Sequence, residues 1–287
     1  EPTLVPVMGL LGVPAHLTSI SPTNAHATPV VVREALARYS VWAESSGVDL
    51  RDLLAVDLGD IDHPDGPEGE ARTTATVSAF PGNLLLALGG DNSITYAVAD
   101  GVRATGLVTL DAHHDLRDGT SNGSPVQRLI ESGLDGRRVV QIGISDFANS
   151  PQYASRARNH GITIVHRDEV EARGISAVMA DALRLAAGNV DEPRIHVDLD
   201  VDACDRSVVP ACPAAAPGGL SAYQLRQAAR AAGADPRVVS MDLAEVDATA
   251  DAADGRTVRL VALCVLEAAA GLATRFAPTE RHRRPTT

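Results

Sequence analysis

Leu107-Val108-Thr109-Leu110-Asp111-Ala112-His113-His114-Asp115 is the stretch that decides how this chain is read. Its first half is largely apolar and β-prone, the pattern of a buried parallel strand. Its second half places Asp111, His113 and Asp115 at every second position. Alternate residues of an extended segment point to one side. Two carboxylates and an imidazole are therefore expected to converge just past a strand end. Such oxygen and nitrogen donors suit Mn²⁺, and also Fe, Co, Ni or Zn. The competing reading is an acidic surface turn, and the apolar run before it argues against that.

A second stretch, Pro193-Arg194-Ile195-His196-Val197-Asp198-Leu199-Asp200, repeats the logic. Asp198 and Asp200 alternate at the end of another apolar run. In doubly wound α/β sheets, sites form outside the carboxyl ends of the strands. Several carboxylates meeting in an apolar cleft repel one another unless cations neutralise them. The two stretches together thus predict one or two bound metal ions.

The 287 residues carry a net charge of −12, which makes nucleic acid and anionic membranes poor partners. All 25 basic residues are Arg, so a lysine Schiff base and a P-loop lysine are both excluded. The opening Glu-Pro-Thr-Leu does not read as a signal peptide, and no run is expected to reach the roughly 20 apolar residues of a spanning helix. Cys204, Cys212 and Cys264 are odd in number and lack metal-finger spacing. They are expected to be free thiols of a reducing cytoplasm.

Strand-like runs are expected at Val5–Gly12, Leu54–Leu58, Leu84–Leu88, Val139–Ile144, Ile162–His166, Ile195–Leu199 and Val238–Leu243. Helical patterns are expected at Pro29–Ser40, Ile94–Gly101, Val126–Ser132, Glu169–Ala187 with an interruption at Gly174, Ala222–Ala232 and Thr257–Ala273. His16–Pro29 reads as a loop in which His26 lines or faces solvent, and Asp60–Glu70 as a solvated acidic loop. The Arg-rich end, Arg281–Thr287, reads as frayed. Strands alternating with helices predict an α/β fold, a mostly parallel sheet covered on both faces, as one domain over residues 1–287.

Five motifs stand in order: Gly89-Gly90-Asp91, Asp111-Ala112-His113-His114-Asp115, Asn122-Gly123-Ser124-Pro125-Val126, Asp198-Leu199-Asp200 and Asp242-Leu243-Ala244-Glu245-Val246. Together they resemble the ureohydrolases, the arginase, agmatinase and formimidoylglutamase family. The resemblance implies a three-layer α/β/α fold with two Mn²⁺ per chain. It implies that Asp111 and Asp198 bridge the ions, that Asp115 completes the first site, and that His113 and Asp200 complete the second. It also implies that Glu245 faces the amidine or guanidinium group of a small substrate. A water held between two cations loses a proton near neutral pH and attacks such a carbon.

Two positions depart from the family pattern. Asn92 stands where a histidine ligand follows Gly-Gly-Asp; because an amide oxygen is a poorer donor than imidazole, the first metal is expected to be weaker, missing or partly held by water. Asn122 stands where arginases carry a proton-shuttling histidine. His114 is the nearby candidate for a substitute shuttle, but alternation places it opposite His113, which favours packing at the strand end. Arg117, Ser121 and Asn122 make up the expected substrate-binding set. Arg117, two residues beyond Asp115, suits a substrate carboxylate. The combination is most similar to the formimidoylglutamases of histidine degradation (the actinobacterial type), which implies hydrolysis of N-formimidoyl-L-glutamate to L-glutamate and formamide. A guanidino substrate (agmatine, guanidinobutyrate, arginine or hydroxyarginine) and a non-catalytic binding homologue are the alternatives. Relatives of this kind form trimers or hexamers, so a homo-oligomer is implied, with no interface legible in the sequence.

Overall fold

In the computed structural model, which describes residues 5–276, the central stretch forms an inner strand of an eight-stranded sheet and the turn that follows it. The strands are β1 (Val7–Val13), β4 (Leu54–Asp60), β5 (Leu84–Gly89), β6 (Gly106–Leu110), β7 (Val139–Ile144), β8 (Thr163–His166), β9 (Ile195–Asp200) and β10 (Val238–Ala244). A short hairpin, β2 (Trp42–Ala43) with β3 (Val48–Asp49), stands apart. The sheet order is β4-β1-β5-β10-β9-β6-β7-β8, and every pairing is parallel. Strands β5, β6, β7 and β9 are buried along their whole length. Their largely apolar character follows from helices on both faces.

The helices are α1 (Thr28–Leu36), α2 (Gly66–Ala79), α3 (Ile94–Gly101), α4 (Pro125–Glu131), α5 (Pro151–His160), α6 (Arg167–Arg173), α7 (Ile175–Ala187), α8 (Ala222–Ala234) and α9 (Arg256–Thr274). Residues of α1, α6, α7, α8 and α9 share one apolar core against the sheet. Those of α2, α3, α4 and α5 build two smaller cores on the other face. The three-layer α/β/α arrangement expected from the sequence is what forms.

Four adjacent central strands, β5, β10, β9 and β6, end on the same edge of the sheet. Chain order does not follow sheet order here. From β5 the chain passes through α3 to β6, leaving room for β10 and β9 to enter between them later. Such a switch opens a crevice at the carboxyl ends of the strands. The Gly89-Gly90 pair makes the approach possible. A Cβ on Gly90, whose φ is 33°, would lie 2.3 Å from the Ala15 carbonyl oxygen.

The differences from the sequence reading have physical causes. Helix α2 begins inside the segment read as a solvated loop. Only Gly69, Thr73 and Val77 of it are buried, so its inward stripe is too small and polar to register as an apolar period. Helix α5 is likewise missing from the apolar pattern, because Ala157 is its sole buried residue. Gly174, with φ 80°, divides the expected long helix into α6 and α7. Helix α9 corrects the membrane expectation. At 19 residues it is long and apolar enough to cross a bilayer, yet most of it is buried against α1 and α8 as a core helix. Residues Arg281–Thr287 lie outside the described residues.

Helices α8 and α9 pack at backbone contact. A Cβ on Gly271 would sit 2.4 Å from the Arg230 carbonyl oxygen, and one on Gly233 would sit 2.2 Å from that of Ala268. Overpacking a close-packed contact costs roughly 1–3 kcal/mol or more. Gly271→Val is expected to lower the melting temperature by several degrees, whereas Arg259→Ala, at an exposed position of the same helix, leaves it nearly unchanged. Thermal unfolding followed by circular dichroism checks this.

Candidate metal centre and active site

Strand β6 stops at Leu110, and the chain then bends instead of continuing extended. Asp111 Oδ1 accepts a hydrogen bond from the His113 amide at 2.6 Å. Asp115 adopts a left-handed conformation, φ 51°. The three residues converge because the backbone turns, and simple strand alternation is only part of the reason. Two side chains hold this bend. Asn149 accepts from the His114 amide at 3.0 Å and donates to the Ala112 carbonyl at 2.9 Å. Asp202 Oδ1 accepts from the Ala112 amide at 2.9 Å.

Strand β9 carries Asp198 and Asp200, and a 3₁₀ turn over Val201–Ala203 then carries Asp202. Asp202 Oδ2 lies 2.7 Å from His113 Nδ1, and Asp111 Oδ1 lies 3.5 Å from the same nitrogen. Ligand atoms of Asp111, His113 and Asp202 all fall within 4.8 Å of one another. His113, Asp115, Asp200, Asp202 and Glu245 line one cavity of about 250 Å³, together with Arg117, Asn122 and Tyr153. Glu245 follows β10 in a left-handed conformation, φ 65°, and its Oε1 accepts from the Asn92 amide at 2.7 Å and from Asn122 Nδ2 at 2.9 Å. Two non-glycine residues held in this costly region at one cavity mark it as a site under constraint.

The electrostatics fit a cation. Burial pushes the Asp111 carboxyl up to about 7, reinforced by the facing Asp202. Burial, and then the neighbouring carboxylates, push Asp115 and Asp200 well above the ordinary range. Burial pulls the His113 imidazole down, but its bonds to Asp111 and Asp202 outweigh that and hold it protonated up to about 12. That proton is the local counter-charge. A divalent cation between the same groups would replace it, leaving a neutral imidazole ligand. Asp111 Oδ2 is buried without a hydrogen-bond partner, and oxygen with imidazole is a donor set that suits Mn²⁺.

Several expected roles change. Asp198 does not reach the cavity. It lies two residues deeper, paired in register with Asp242 of β10, with both carboxylate oxygens buried and unbonded. The run Asp198, Asp200, Asp202 continues the every-second-residue series, and the sequence alone does not say where the strand ends. Asp202, absent from the expected ligand set, is the residue that meets His113. His114 is buried, with its ring Nδ1 2.7 Å from Gln141 Oε1, and does not line the cavity. Ser121 turns into its own loop, 2.8 Å from Ser124 Oγ, and is not part of the cavity wall. Asn92 donates through Nδ2 to Asp115 at 2.7 Å and accepts at Oδ1 from Thr95 at 2.9 Å. Arg117 does line the cavity, 5.7 Å from the centre of the Tyr153 ring, and among the described residues no carboxylate pairs with it. Asn149 and Tyr153 also line the cavity; in the sequence a lone Asn and a Tyr in a polar segment carry no signal. The three cysteines are buried and unpaired.

The sequence pattern of the arginase family matches residues 7–271. The chain belongs to the arginase family. It is 37% identical over 258 residues to formimidoylglutamase of Halalkalibacterium halodurans, covering 85% of this chain and 80% of that one. The crystal structure of formimidoylglutamase from Bacillus subtilis superposes with a TM-score of 0.87 at 32% identity, covering 95% of this chain and 89% of the other. The structure of Trypanosoma cruzi formiminoglutamase with Mn²⁺ superposes with a TM-score of 0.85 at 25% identity, covering 93% and 94%. The arginase-like fold is therefore shared with a manganese-containing relative.

The raised groups set a pH dependence for the metal-stripped protein. Asp111 and Glu245 move from ordinary values of 3.8 and 4.5 to about 7, and His113 from 6.5 to about 12. Each binds its proton more tightly when folded. The stabilisation is full at low pH and is lost as pH rises through these values. In chelator, the melting temperature is expected to fall between about pH 5 and pH 8, and Mn²⁺ is expected to raise it by an amount that grows with pH. A chelated melting temperature that rises over this interval contradicts the assignment.

Proposed function

We propose that this chain hydrolyses N-formimidoyl-L-glutamate to L-glutamate and formamide as a manganese-dependent member of the arginase family. The observation that carries the substrate is Arg117. Among the described residues it is a guanidinium without a carboxylate partner, in the wall of a cavity whose floor is otherwise acidic. A substrate with an amidine at one end and carboxylates at the other matches both. The relatives named formimidoylglutamase support the same reading.

Asp111, His113 and Asp202 would hold one ion, and Asp115 and Asp200 together with Asp111 the second. Two ions held there would lower the pKa of a bound water towards neutral pH and orient it for attack. Asn92 spends both ends of its amide on Asp115 and Thr95. In this reading it orients Asp115, and the second ion has fewer protein donors and is the more weakly held.

Glu245 has Oε1 engaged twice, which leaves Oε2 to accept the amidine N–H and aim the carbon at the water. Arg117 binds a glutamate carboxylate through its planar fork. The water oxygen bonds to the imino carbon as the C=N π pair moves onto that nitrogen, which takes one water proton; the carbonyl of formamide then forms from the adduct's hydroxyl, releasing its proton, as the bond from that carbon to the glutamate nitrogen breaks. The departing nitrogen needs a proton. Burial lifts Glu245 to about 7, against its bonds from Asn122 and the Asn92 amide, so it can take and return that proton near neutral pH. His114, turned into Gln141, is assigned no transfer step.

Formamide release from Mn²⁺-loaded protein tests the reading. Asp202→Ala is expected to remove Mn²⁺ and lower activity by more than the roughly 10–100-fold of a residue that merely orients a ligand. Arg117→Ala is expected to raise KM by about 10-fold or more, since hydrogen bonds to charged groups contribute about 1.5–3 kcal/mol, with Mn²⁺ content unchanged. An unaltered KM removes the carboxylate anchor from the account.

A further inference from the structure

Asn122 sits where it can be neither acid nor base, yet it makes more site-building bonds than any proton carrier would need. Its Nδ2 donates to Glu245 Oε1 at 2.9 Å. Its Oδ1 accepts from the Ile20 amide at 3.0 Å, and its own amide donates to the Thr18 carbonyl at 3.3 Å. Ile20 belongs to the loop between β1 and α1 and lines the same cavity. One side chain therefore joins the carboxylate that faces the substrate to a loop that lines the same cavity. The neighbouring Gly123 keeps the crossing tight, since a Cβ there would lie 2.8 Å from Arg117 Cδ and 3.3 Å from Ile20 Cδ1.

We propose that Asn122 is a positioning residue for turnover. Its amide pins Glu245 Oε1, so that only Oε2 is presented to the amidine, and its carbonyl oxygen fixes the loop carrying Ile20 in the same act. The inference rests on the reading of Glu245 given above. The physical basis is geometric. A carboxylate free to rotate offers either oxygen in many orientations, and a misplacement of about 1 Å can cost about 100-fold in rate. The Asn92 amide alone gives Glu245 a single fixed donor, about which it can swing. The second donor, from a different loop, fixes the carboxylate plane. Because Asn is not titratable, it does this at every working pH, which a histidine at the same place would not.

The two ends of the amide can be separated. Asn122→Asp keeps the acceptor for Ile20 and loses the donor to Glu245, whereas Asn122→Ala loses both. With N-formimidoyl-L-glutamate and Mn²⁺, Asn122→Asp is expected to lower kcat by about 30- to 100-fold, with KM within about threefold and Mn²⁺ content and melting temperature unchanged. Asn122→Ala is expected to lower kcat similarly and also to raise KM, because the loop carrying Ile20 is released. A kcat for Asn122→Asp within about threefold of the parent overturns the inference. So does a loss of activity that tracks a loss of Mn²⁺, because it marks a scaffold role. If the parent protein itself releases no formamide, the functional reading fails and this inference falls with it. Parent turnover with an indifferent Asn122→Asp removes the inference alone.

Discussion

Five acidic side chains, Asp111, Asp115, Asp200, Asp202 and Glu245, are buried around one crevice with His113 among them. Gathering so much like charge in a low-dielectric setting is unfavourable unless something positive is held there. The metal-free protein meets that demand in part by protonation, with carboxyls raised towards neutrality and His113 kept cationic. Divalent cations meet it without consuming protons. The crevice, the left-handed backbone at Asp115 and Glu245, and the braces from Asn149 and Asn122 are all arranged around that one electrostatic requirement.

The sheet makes the crowding possible. Parallel pairing brings the carboxyl ends of β5, β10, β9 and β6 to one edge, and each is followed by a short turn that carries one or more site residues. The helices on both faces fix the strands, so the turns inherit a rigid base. Substrate discrimination lies further out. Arg117, Tyr153 and the loop carrying Ile20 line the cavity, on segments that lie outside the sheet. The chemistry is thus placed by the sheet, and the selectivity by what is built around its edge.

Much of this is legible in the sequence. The apolar runs locate all eight sheet strands, because buried parallel strands are the strongest local signal of this fold class. Helices α2 and α5 bury few and small residues, so their inward faces leave no apolar period to read. The site is legible in part. His113, Asp115, Asp200, Arg117 and Glu245 line the cavity, and Asp111 meets His113 at its base. The alternation puts Asp198 there as well, because three alternate carboxylates look alike until the strand end is known. The resulting register error of two residues hides Asp202. Alternation puts His114 on the side opposite His113 and favours packing over a shuttle role, and the structure buries its ring against Gln141 on β7. Contacts between residues far apart in sequence, such as Asn122 with Glu245, leave no trace in local pattern at all.

Product release from a substrate panel tests the account most directly. Mn²⁺-reconstituted protein would be offered N-formimidoyl-L-glutamate, agmatine, guanidinobutyrate, arginine and hydroxyarginine, with formamide, urea and hydroxyurea assayed. The union of an acidic, cation-holding floor with an arginine in the wall predicts formamide from N-formimidoyl-L-glutamate alone. Urea or hydroxyurea from a guanidino compound, with no formamide, would contradict it.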